Sequence, residues 1–329
     1  MRPFEYATPT TKEQAVGLLG AQWGQAEVLA GGTDLLSLMK DDVVHPKRVV
    51  SINQLQSLDG PVMDGQMQFS ALTTLAELAD NVNVVKDYPA LAEAVNHAAS
   101  PQIRNLATLG GNLCQRPRCW YFRGGFGLLP KDESGKDLAA AGDNRYHAIL
   151  GNDGPAKFVS PSSIVPALIA YGAKVQLFGP KSSREMPLEN FYVVPKAEGE
   201  REHDLKPNEI VTRVILPPPA KDLKVAHYEI RQKAAFDWPL AVAVVALHMS
   251  GSRVQQARVV MGHVAPVPWV SAEAAQVLTS KNFSEDLARA AADAALASAQ
   301  PLRQNDYKVQ LARVAVKRAI LKAVAGGAA

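Results

Sequence analysis

The sequence predicts an α+β fold rather than a doubly wound parallel sheet. Strands and helices intermix in the first part of the chain without a repeating βαβ rhythm, and the last part reads as several strands followed by helices. The 329 residues, 47% of them hydrophobic, suffice for two or three cores of ordinary domain size. We therefore expect two mixed lobes followed by a C-terminal antiparallel sheet with a small helical bundle.

The first lobe is expected to span residues 1–58. Thr10 and Glu13 have the spacing of a capping box, which predicts a helix directly after them. Brief apolar runs at 27–30 and 49–52 are bounded by turn residues. This pattern predicts two buried strands, one on either side of a glycine turn.

The second lobe is expected to span residues 59–218. It begins with an alternating strand at 67–71, and a second capping box, Thr74 with Glu77, predicts another helix. Three consecutive prolines at 217–219 can supply neither helical nor central-strand hydrogen bonds. We therefore expect a connection there, and we place the boundary between the second lobe and the C-terminal domain at this point.

The C-terminal domain is expected to span residues 219–329. Four apolar runs separated by turn residues, the first of them just before this boundary, predict a meander of successive antiparallel strands: 211–216, 225–231, 240–249 and 256–263. Three helical stretches are predicted after Pro268, two of them at 284–299 and 305–323. The expected result is a sheet that is backed by helices.

Charge and composition exclude several classes of function. The formal net charge of +3 is spread over the chain without a dense basic run, so nucleic acid is not an expected partner. No apolar stretch approaches the ~20 residues of a membrane span, and the first residues lack the apolar core of a signal peptide. We expect a cytoplasmic protein, with the periplasm as the alternative if a partner carries it there. Two cysteines argue against a disulfide scaffold.

Two glycine-bearing turns are the most informative motifs. The first turn, residues 30–35, reads Ala-Gly-Gly-Thr-Asp-Leu, and the second turn, residues 107–112, reads Ala-Thr-Leu-Gly-Gly-Asn. Adjacent glycines let a backbone approach a diphosphate closely and direct N–H groups toward it, while hydroxyl and amide side chains can donate to phosphate oxygens. Neither turn is a P-loop or a Gly-x-Gly-x-x-Gly fingerprint. The alternative is a pair of ordinary turns.

The ordered series of motifs resembles the FAD-binding medium subunit of the molybdenum hydroxylases, the family of xanthine dehydrogenases, carbon monoxide dehydrogenases and aldehyde oxidoreductases. The resemblance includes Pro-Phe-Glu-Tyr at 3–6 and Ser-Pro-Gln-Ile-Arg-Asn at 100–105, and it runs nearly end to end. It implies a two-lobed FAD-binding domain in which both turns wrap the FAD diphosphate and ribityl. Carried over by position, the binding residues are Leu29, Ala30, Gly31, Gly32, Thr33, Asp34, Leu35, Thr108, Gly110, Gly111 and Asn112.

The resemblance implies two further cofactor contacts. Ser163 stands where the family commonly has an aspartate near the ribityl chain, and a serine can still hydrogen-bond to a ribityl hydroxyl without supplying charge. The alternative is that Ser162 or Ser163 caps the helix that follows. Lys233 matches a family strand that sends a basic group toward the cofactor, and the alternative there is a solvated surface charge.

Residues 115–158 are predicted to form a long insertion loop, and a loop of this length in a compact domain is usually functional. The segment resembles the insertion of the aldehyde oxidoreductase type, whose four cysteines hold a [4Fe–4S] cluster. Here only Cys114 and Cys119 are present in the whole chain, so a [4Fe–4S] cluster is not expected. A metal site that uses both thiols and His147 is the alternative to buried, inert thiols. We expect no metal site.

The sequence shows no nucleophilic triad and no paired-carboxylate motif, so no catalytic side chains are assigned. The resemblance implies an electron-transfer subunit that binds FAD and receives electrons from a small [2Fe–2S] subunit. A large molybdopterin subunit would carry the substrate chemistry, and an external acceptor (NAD⁺, dioxygen, a quinone or a ferredoxin) would take the electrons. The alternatives are a stand-alone flavin-binding module and a self-contained flavin oxidase.

Overall fold

The computed structural model describes residues 1–55, 65–233 and 237–326. Its strands are β1 Glu5–Ala7, β2 Ala26–Leu29, β3 Arg48–Ser51, β4 Met67–Ser70, β5 Lys174–Phe178, β6 Ser183–Pro187, β7 Ile210–Leu216, β8 Leu223–Ile230, β9 Ala241–Ser250, β10 Arg253–Gly262, β11 Trp269–Val270 and β12 Lys281–Asn282. Its helices are α1 Lys12–Leu18, α2 Leu35–Lys40, α3 Leu75–Asp80, α4 Val82–Asp87, α5 Pro89–His97, α6 Pro101–Arg104, α7 Leu109–Leu113, α8 Trp120–Arg123, α9 Leu138–Ala141, α10 Val165–Ala170, α11 Ala272–Leu278, α12 Glu285–Ala295 and α13 Tyr307–Val324. This mixture confirms the predicted α+β class.

The first sheet is small and parallel, with the strand order β1-β3-β2. The two strands predicted in this lobe are present, each shifted by one residue from the apolar run. The helix α1 begins after Thr11, whose side chain accepts from the Gln14 N–H group, so the predicted cap at Thr10 is wrong by one position. The predicted end of this lobe, Leu58, lies outside the described residues.

The second sheet is antiparallel, with the order β4-β7-β5-β6. Its helix α3 begins with the predicted capping box, since the Thr74 hydroxyl accepts from the Glu77 N–H group and the Glu77 carboxylate accepts from the Thr74 N–H group. The strand β7 was predicted to open the C-terminal meander, which is wrong. It lies between β4 and β5, because its alternate residues face the core of this lobe.

The third sheet has the order β11-β10-β9-β8 with β12 pairing β10, and its paired strands are antiparallel as predicted. The three predicted helices are α11, α12 and α13. The helix α11 packs on β10, α13 packs on β8 and β9, and α12 packs on both of these helices, with alanines buried at the contacts. Valines on the opposite face of β9 pack with α10 in the core of the second lobe, and α5 packs against the neighbouring strand β8. The sheet therefore joins both cores.

The insertion, residues 115–158, carries secondary structure that the sequence did not predict. It contains α8 and α9, and its last part enters the core behind the third sheet. Ile149 and Leu150 are fully buried there, and the N–H groups of both donate to the carbonyl oxygen of Val264. The segment is thus a packed part of the fold. The domain boundaries proposed from the sequence stay predictions.

No helix in the described ranges 1–55, 65–233 and 237–326 combines the length and the apolar character needed to cross a membrane.

Candidate functional site

The first turn connects β2 to α2 and presents a row of free backbone donors. Among the described residues, no acceptor bonds to the N–H groups of the five consecutive residues from Gly31 to Leu35. Successive unpaired N–H groups on a turn form a concave site for an anion. The Ala30 carbonyl oxygen, at the start of the turn, accepts from the Asn53 side chain. This bond attaches the turn to the chain after β3 and uses none of the five N–H groups.

Both glycines of the first turn are required by its geometry. A Cβ atom on Gly31 would lie 1.7 Å from the Leu106 carbonyl oxygen, so this residue allows the first turn to pack against the chain that leads into the second turn. Gly32 has φ +71°, a left-handed conformation that side chains with a Cβ rarely adopt. The two turns, predicted to form one site, are therefore adjacent.

The second turn differs from its prediction in one respect. Thr108 caps α7 by accepting from the Gly111 N–H group, and the Gly110 N–H group donates to the Ala71 carbonyl oxygen. The N–H groups of Leu109 and Asn112 also have protein acceptors. Among the described residues, Thr108 is the one member of this turn whose N–H group has no protein acceptor, so the second turn supplies a close-packed wall more than a row of N–H groups.

The two turns line one cleft, which we call the glycine-turn cleft. Of the predicted site residues, it brings together Ala30, Gly31, Gly32, Thr33, Asp34, Leu35, Thr108, Gly110 and Gly111. Leu29 is the last residue of β2 and directly precedes the first turn. Its side chain lies 3.1 Å from the position that a Cβ atom on Gly32 would take. Asn112 lies just beyond the cleft lining, and its side-chain oxygen accepts from the Ser162 hydroxyl at 2.6 Å.

Several cleft residues were not identified from the sequence. Trp23, Arg116, Arg201 and His203 line the cleft, and the Arg201 guanidinium lies over the Trp23 ring at 4.2 Å from its centroid. Arg201 also pairs with Glu27 at 2.8 Å. These residues come from three distant segments without a shared motif, so no local signal could have found them.

Charge in the cleft is organised around buried groups. Arg116 forms an ion pair with Glu202, whose side chain is only 4% exposed. Burial alone would raise the pKa of Glu202, but the nearby charge of Arg116 holds that pKa below its ordinary value. Burial lowers the pKa of His203 to about 4, so this imidazole is neutral at neutral pH.

Asp34 anchors the insertion to the first turn. Its carboxylate accepts from the Arg116 N–H group at 2.8 Å and from the Arg123 side chain at 2.8 Å, and Arg118 lies 3.4 Å away. Three arginines of one segment therefore converge on a single aspartate. The insertion covers this side of the glycine-turn cleft.

Ser163 and Lys233, the two weaker predicted contacts, do not line the glycine-turn cleft. The Ser163 hydroxyl lies 3.1 Å from His263 Nε2, and Ser162 takes the capping role by accepting from the Val165 N–H group. Lys233 is exposed beside residues 234–236, which are outside the described ranges. The cofactor roles of Ser163 and Lys233 stay predictions.

The two cysteines lie in different surroundings. Cys119 Sγ is 3.2 Å from His147 Nε2, and burial raises the pKa of the Cys119 thiol and lowers the pKa of His147 to about 4. Burial raises the pKa of Cys114 to about 12. Both thiols are therefore protonated at neutral pH, a state that disfavours metal ligation.

The cleft fits a dinucleotide with a diphosphate. Five free N–H groups and the cationic side chains of Arg116 and Arg201 can meet negative charge, and the Trp23 ring offers a flat apolar surface for a base. The thiol in the lining, Cys114, is protonated at neutral pH because burial raises its pKa to about 12, so the arrangement suits binding rather than bond cleavage.

Two protein families match this chain. The family described as FAD binding domain in molybdopterin dehydrogenase matches residues 2–219, and the family described as CO dehydrogenase flavoprotein C-terminal domain matches residues 226–323. Together they cover the two lobes and the third sheet with its helices. The first match alone spans more than half of the chain.

Individual relatives match over nearly the whole chain. The aldehyde oxidoreductase FAD-binding subunit PaoB of Escherichia coli (strain K12) is 33% identical over 95% of this chain and 96% of its own length. The carbon monoxide dehydrogenase medium chain of Hydrogenophaga pseudoflava is 30% identical over 96% of each chain. A solved carbon monoxide dehydrogenase structure from Hydrogenophaga pseudoflava superposes with a TM-score of 0.77, at 28% identity, covering 100% of both chains. The chain therefore belongs to the family of FAD-binding subunits of the molybdopterin dehydrogenases.

Proposed function

We propose that the glycine-turn cleft binds the diphosphate of FAD on the free N–H groups of residues 31–35. The observation that carries this proposal is the row of five N–H donors that have no acceptor within the described ranges and that adjoin the second turn. Arg116 and Arg201 line the same cleft; each is paired with a glutamate, and the remaining guanidinium N–H groups can donate to the same anion. The wall made by Thr108, Gly110 and Gly111 shapes the opposite side of the site.

The adenosine end of FAD lies toward Trp23 and His203 in this proposal. The Trp23 ring is already oriented by Arg201, and the neutral imidazole of His203 can stack or hydrogen-bond without adding charge. The other end of FAD would pass Asn112, whose side chain contacts Ser162, the neighbour of Ser163. This direction of binding supports the predicted role of Ser163 near the ribityl chain.

The function that this site supports is electron transfer within a larger enzyme. Bound FAD can accept electrons one at a time and pass on two. This chain holds and orients the cofactor. Burial of the FAD diphosphate in the cleft excludes water from the diphosphate. The relatives are named as a FAD-binding subunit and as a medium chain, which supports partners for this chain: a large molybdopterin subunit and a small [2Fe–2S] subunit.

The electron acceptor and the compartment belong to the same proposal. We infer that electrons leave to an external acceptor of the class that includes NAD⁺, dioxygen, quinones and ferredoxins. The cytoplasm is the proposed compartment, with export alongside a partner as the alternative.

Copurification tests the proposed role. We expect the tagged chain, coexpressed with its two partner subunits, to yield a complex with about one FAD per copy, molybdenum and [2Fe–2S] electron paramagnetic resonance signals. A yellow chain that never joins such a complex would indicate the stand-alone module. Flavin bleaching by added alcohols without partners would indicate the flavin oxidase.

Iron analysis tests the inference that the insertion holds no [4Fe–4S] cluster. Only two thiols are present, and Cys119 is occupied by its contact with His147. We expect the isolated FAD-loaded chain to contain no acid-labile sulfide. About four irons per chain, the content of one such cluster, would contradict this inference.

A further inference from the structure

A cluster of carboxylates and imidazoles lies where α5 packs against β8. Glu93 and His97 are four residues apart on α5 and share a helix face, and His227 and Glu229 share one face of β8. The potential ligand atoms of Glu93, His97 and His227 all lie within 4.8 Å of one another. None of the four residues lines the glycine-turn cleft. The helix and the strand belong to the two separately matched family regions, so the cluster joins both parts of the chain.

His227 is the unusual member of the cluster. Its side chain is fully buried, and neither ring nitrogen has a hydrogen-bond partner among the described residues. The nearest carboxylate oxygens are Glu93 Oε1, at 3.8 Å from Nδ1, and Glu229 Oε2, at 3.8 Å from Nε2. Burial of a polar group without a partner costs about 1–3 kcal/mol of stability. The nitrogens of this imidazole therefore lack a partner that the described protein atoms do not supply.

The spacing of the cluster suits a metal ion better than direct hydrogen bonds. Nitrogen and carboxylate ligands at about 2.0–2.2 Å from a tetrahedral zinc ion lie roughly 3.4 Å from one another. The 3.8 Å separation of His227 from Glu93 is close to this value and too long for a hydrogen bond. Two imidazoles with one carboxylate form a ligand set that zinc accepts. We propose that Glu93, His97 and His227 bind a zinc ion at the junction of α5 and β8.

Glu229 completes the site without binding the ion. One of its oxygens lies 3.1 Å from His97 Nδ1, and the other faces His227 Nε2. Metal-bound histidines commonly donate their second N–H group to a carboxylate, which fixes the ring orientation. Glu229 is placed to accept from both imidazoles, and Arg231 neutralises its charge.

Lys322 competes with the ion for Glu93. Its ammonium group lies 2.8 Å and 3.0 Å from the two carboxylate oxygens of Glu93 and is partly exposed. Zinc binding requires Glu93 to share its charge between the ammonium and the ion. Removal of the ammonium therefore strengthens zinc binding, whereas a purely structural ion pair would gain nothing from its removal.

Zinc titration of the FAD-loaded protein against a chromophoric chelator tests the proposal. We expect about one zinc per chain, at least a tenfold loss of affinity in His97→Gln, and a gain of affinity in Lys322→Gln. His97 is partly exposed, so its replacement should leave the fold intact. The control is His248→Gln, an imidazole that pairs with Asp222 at 2.8 Å outside the cluster.

The absence of stoichiometric zinc binding, or equal affinities in His97→Gln and His248→Gln, would overturn the proposal. A second readout is the midpoint of thermal unfolding, which zinc should raise in the wild type but not in His97→Gln. Flavin content is measured in parallel, by visible absorbance. Failure of zinc binding in a fully yellow protein would therefore leave the proposed FAD site untouched.

Discussion

Glu202 and Arg116 form the ion pair with the least exposure at the glycine-turn cleft. The Glu202 carboxylate is 4% exposed and the Arg116 side chain 12%. Pairing a buried carboxylate compensates for its lost hydration, and removing one partner leaves an isolated buried charge. Arg116 therefore has two tasks, since it stabilises the fold and lines the cleft.

We expect Arg116→Ala to lower the free energy of unfolding by about 3–5 kcal/mol, because Glu202 would keep its charge without a partner. Combining it with Glu202→Gln should recover part of this loss. Urea denaturation measures the free energy of unfolding of both variants. The control is Arg303→Ala, at an exposed position, which should change this free energy by less than about 0.5 kcal/mol. Equal effects of Arg116→Ala and Arg303→Ala would contradict the pairing.

The pKa of His203, lowered to about 4, predicts a pH dependence of stability. Between pH 6.5 and pH 4 the unfolded chain binds a proton at this imidazole and the folded chain does not, so stability falls as the pH is lowered. His203→Gln should reduce the slope of thermal midpoint against pH in this window. Above pH 7 both proteins should have the same slope, because His203 is neutral in both states. Parallel curves throughout would show that His203 is not buried as a neutral group.

The glycines of the two turns have a packing role that the sequence did not indicate. The sequence argument assigned both turns to close approach of a diphosphate. In the structure, the missing Cβ of Gly31 makes room for the Leu106 carbonyl group, and that of Gly110 makes room for Ala71. A sequence shows where a side chain is absent, but only the fold shows which neighbour occupies the space.

At the scale of elements, the insertion is attached to the rest of the protein through both its first part and its last part. Its arginines bind Asp34 at the first turn, and α13 holds its far part through Lys308. The ammonium group of Lys308 is buried and donates to the carbonyl oxygens of Tyr146, His147 and His263. One lysine thus donates to two carbonyl oxygens of the insertion and to one directly after β10, and Asn305 also donates to the carbonyl oxygen of His147.

We expect Lys308→Met to destabilise the protein by about 1–3 kcal/mol, since the carbonyl oxygens of Tyr146 and His263 lose this donor while that of His147 keeps Asn305. Lys317→Met on the same helix, which breaks only a partly exposed pair with Glu285, should cost less than about 1 kcal/mol. Chemical denaturation compares the two. Similar losses in both variants would mean that Lys308 does not hold the insertion.

Elements with local signals were predicted well, and those that depend on long-range pairing were not. The capping box of Thr74 and Glu77 acts within four residues, so the sequence shows it directly. The strand β7 was also detected, but its sheet was wrong, because its partners β4 and β5 are distant in the chain. The insertion was predicted as an irregular loop because its buried contacts, such as that of Ile149 with Val264, involve the C-terminal domain.

At the scale of the whole molecule, the family resemblance carried the prediction of FAD binding, and the comparisons confirm it. The first and second turns were assigned to one site from that resemblance, and the structure places them side by side. Trp23 and Arg201 could not be assigned, because each reaches the cleft from a separate segment. Likewise, His97 and His227 are isolated in the sequence and meet only when α5 packs on β8.

The most direct measurement of the central claim is FAD affinity in Gly32→Ala and Gly251→Ala. Both glycines have positive φ, +71° and +57°, so each substitution strains the backbone by roughly 1–2 kcal/mol. Only Gly32 lies in the row of free N–H groups. We predict at least a tenfold loss of FAD affinity in Gly32→Ala, the equivalent of about 1.4 kcal/mol, and wild-type affinity in Gly251→Ala. Wild-type affinity in Gly32→Ala, or equal losses in both variants, would contradict a diphosphate site at the first turn.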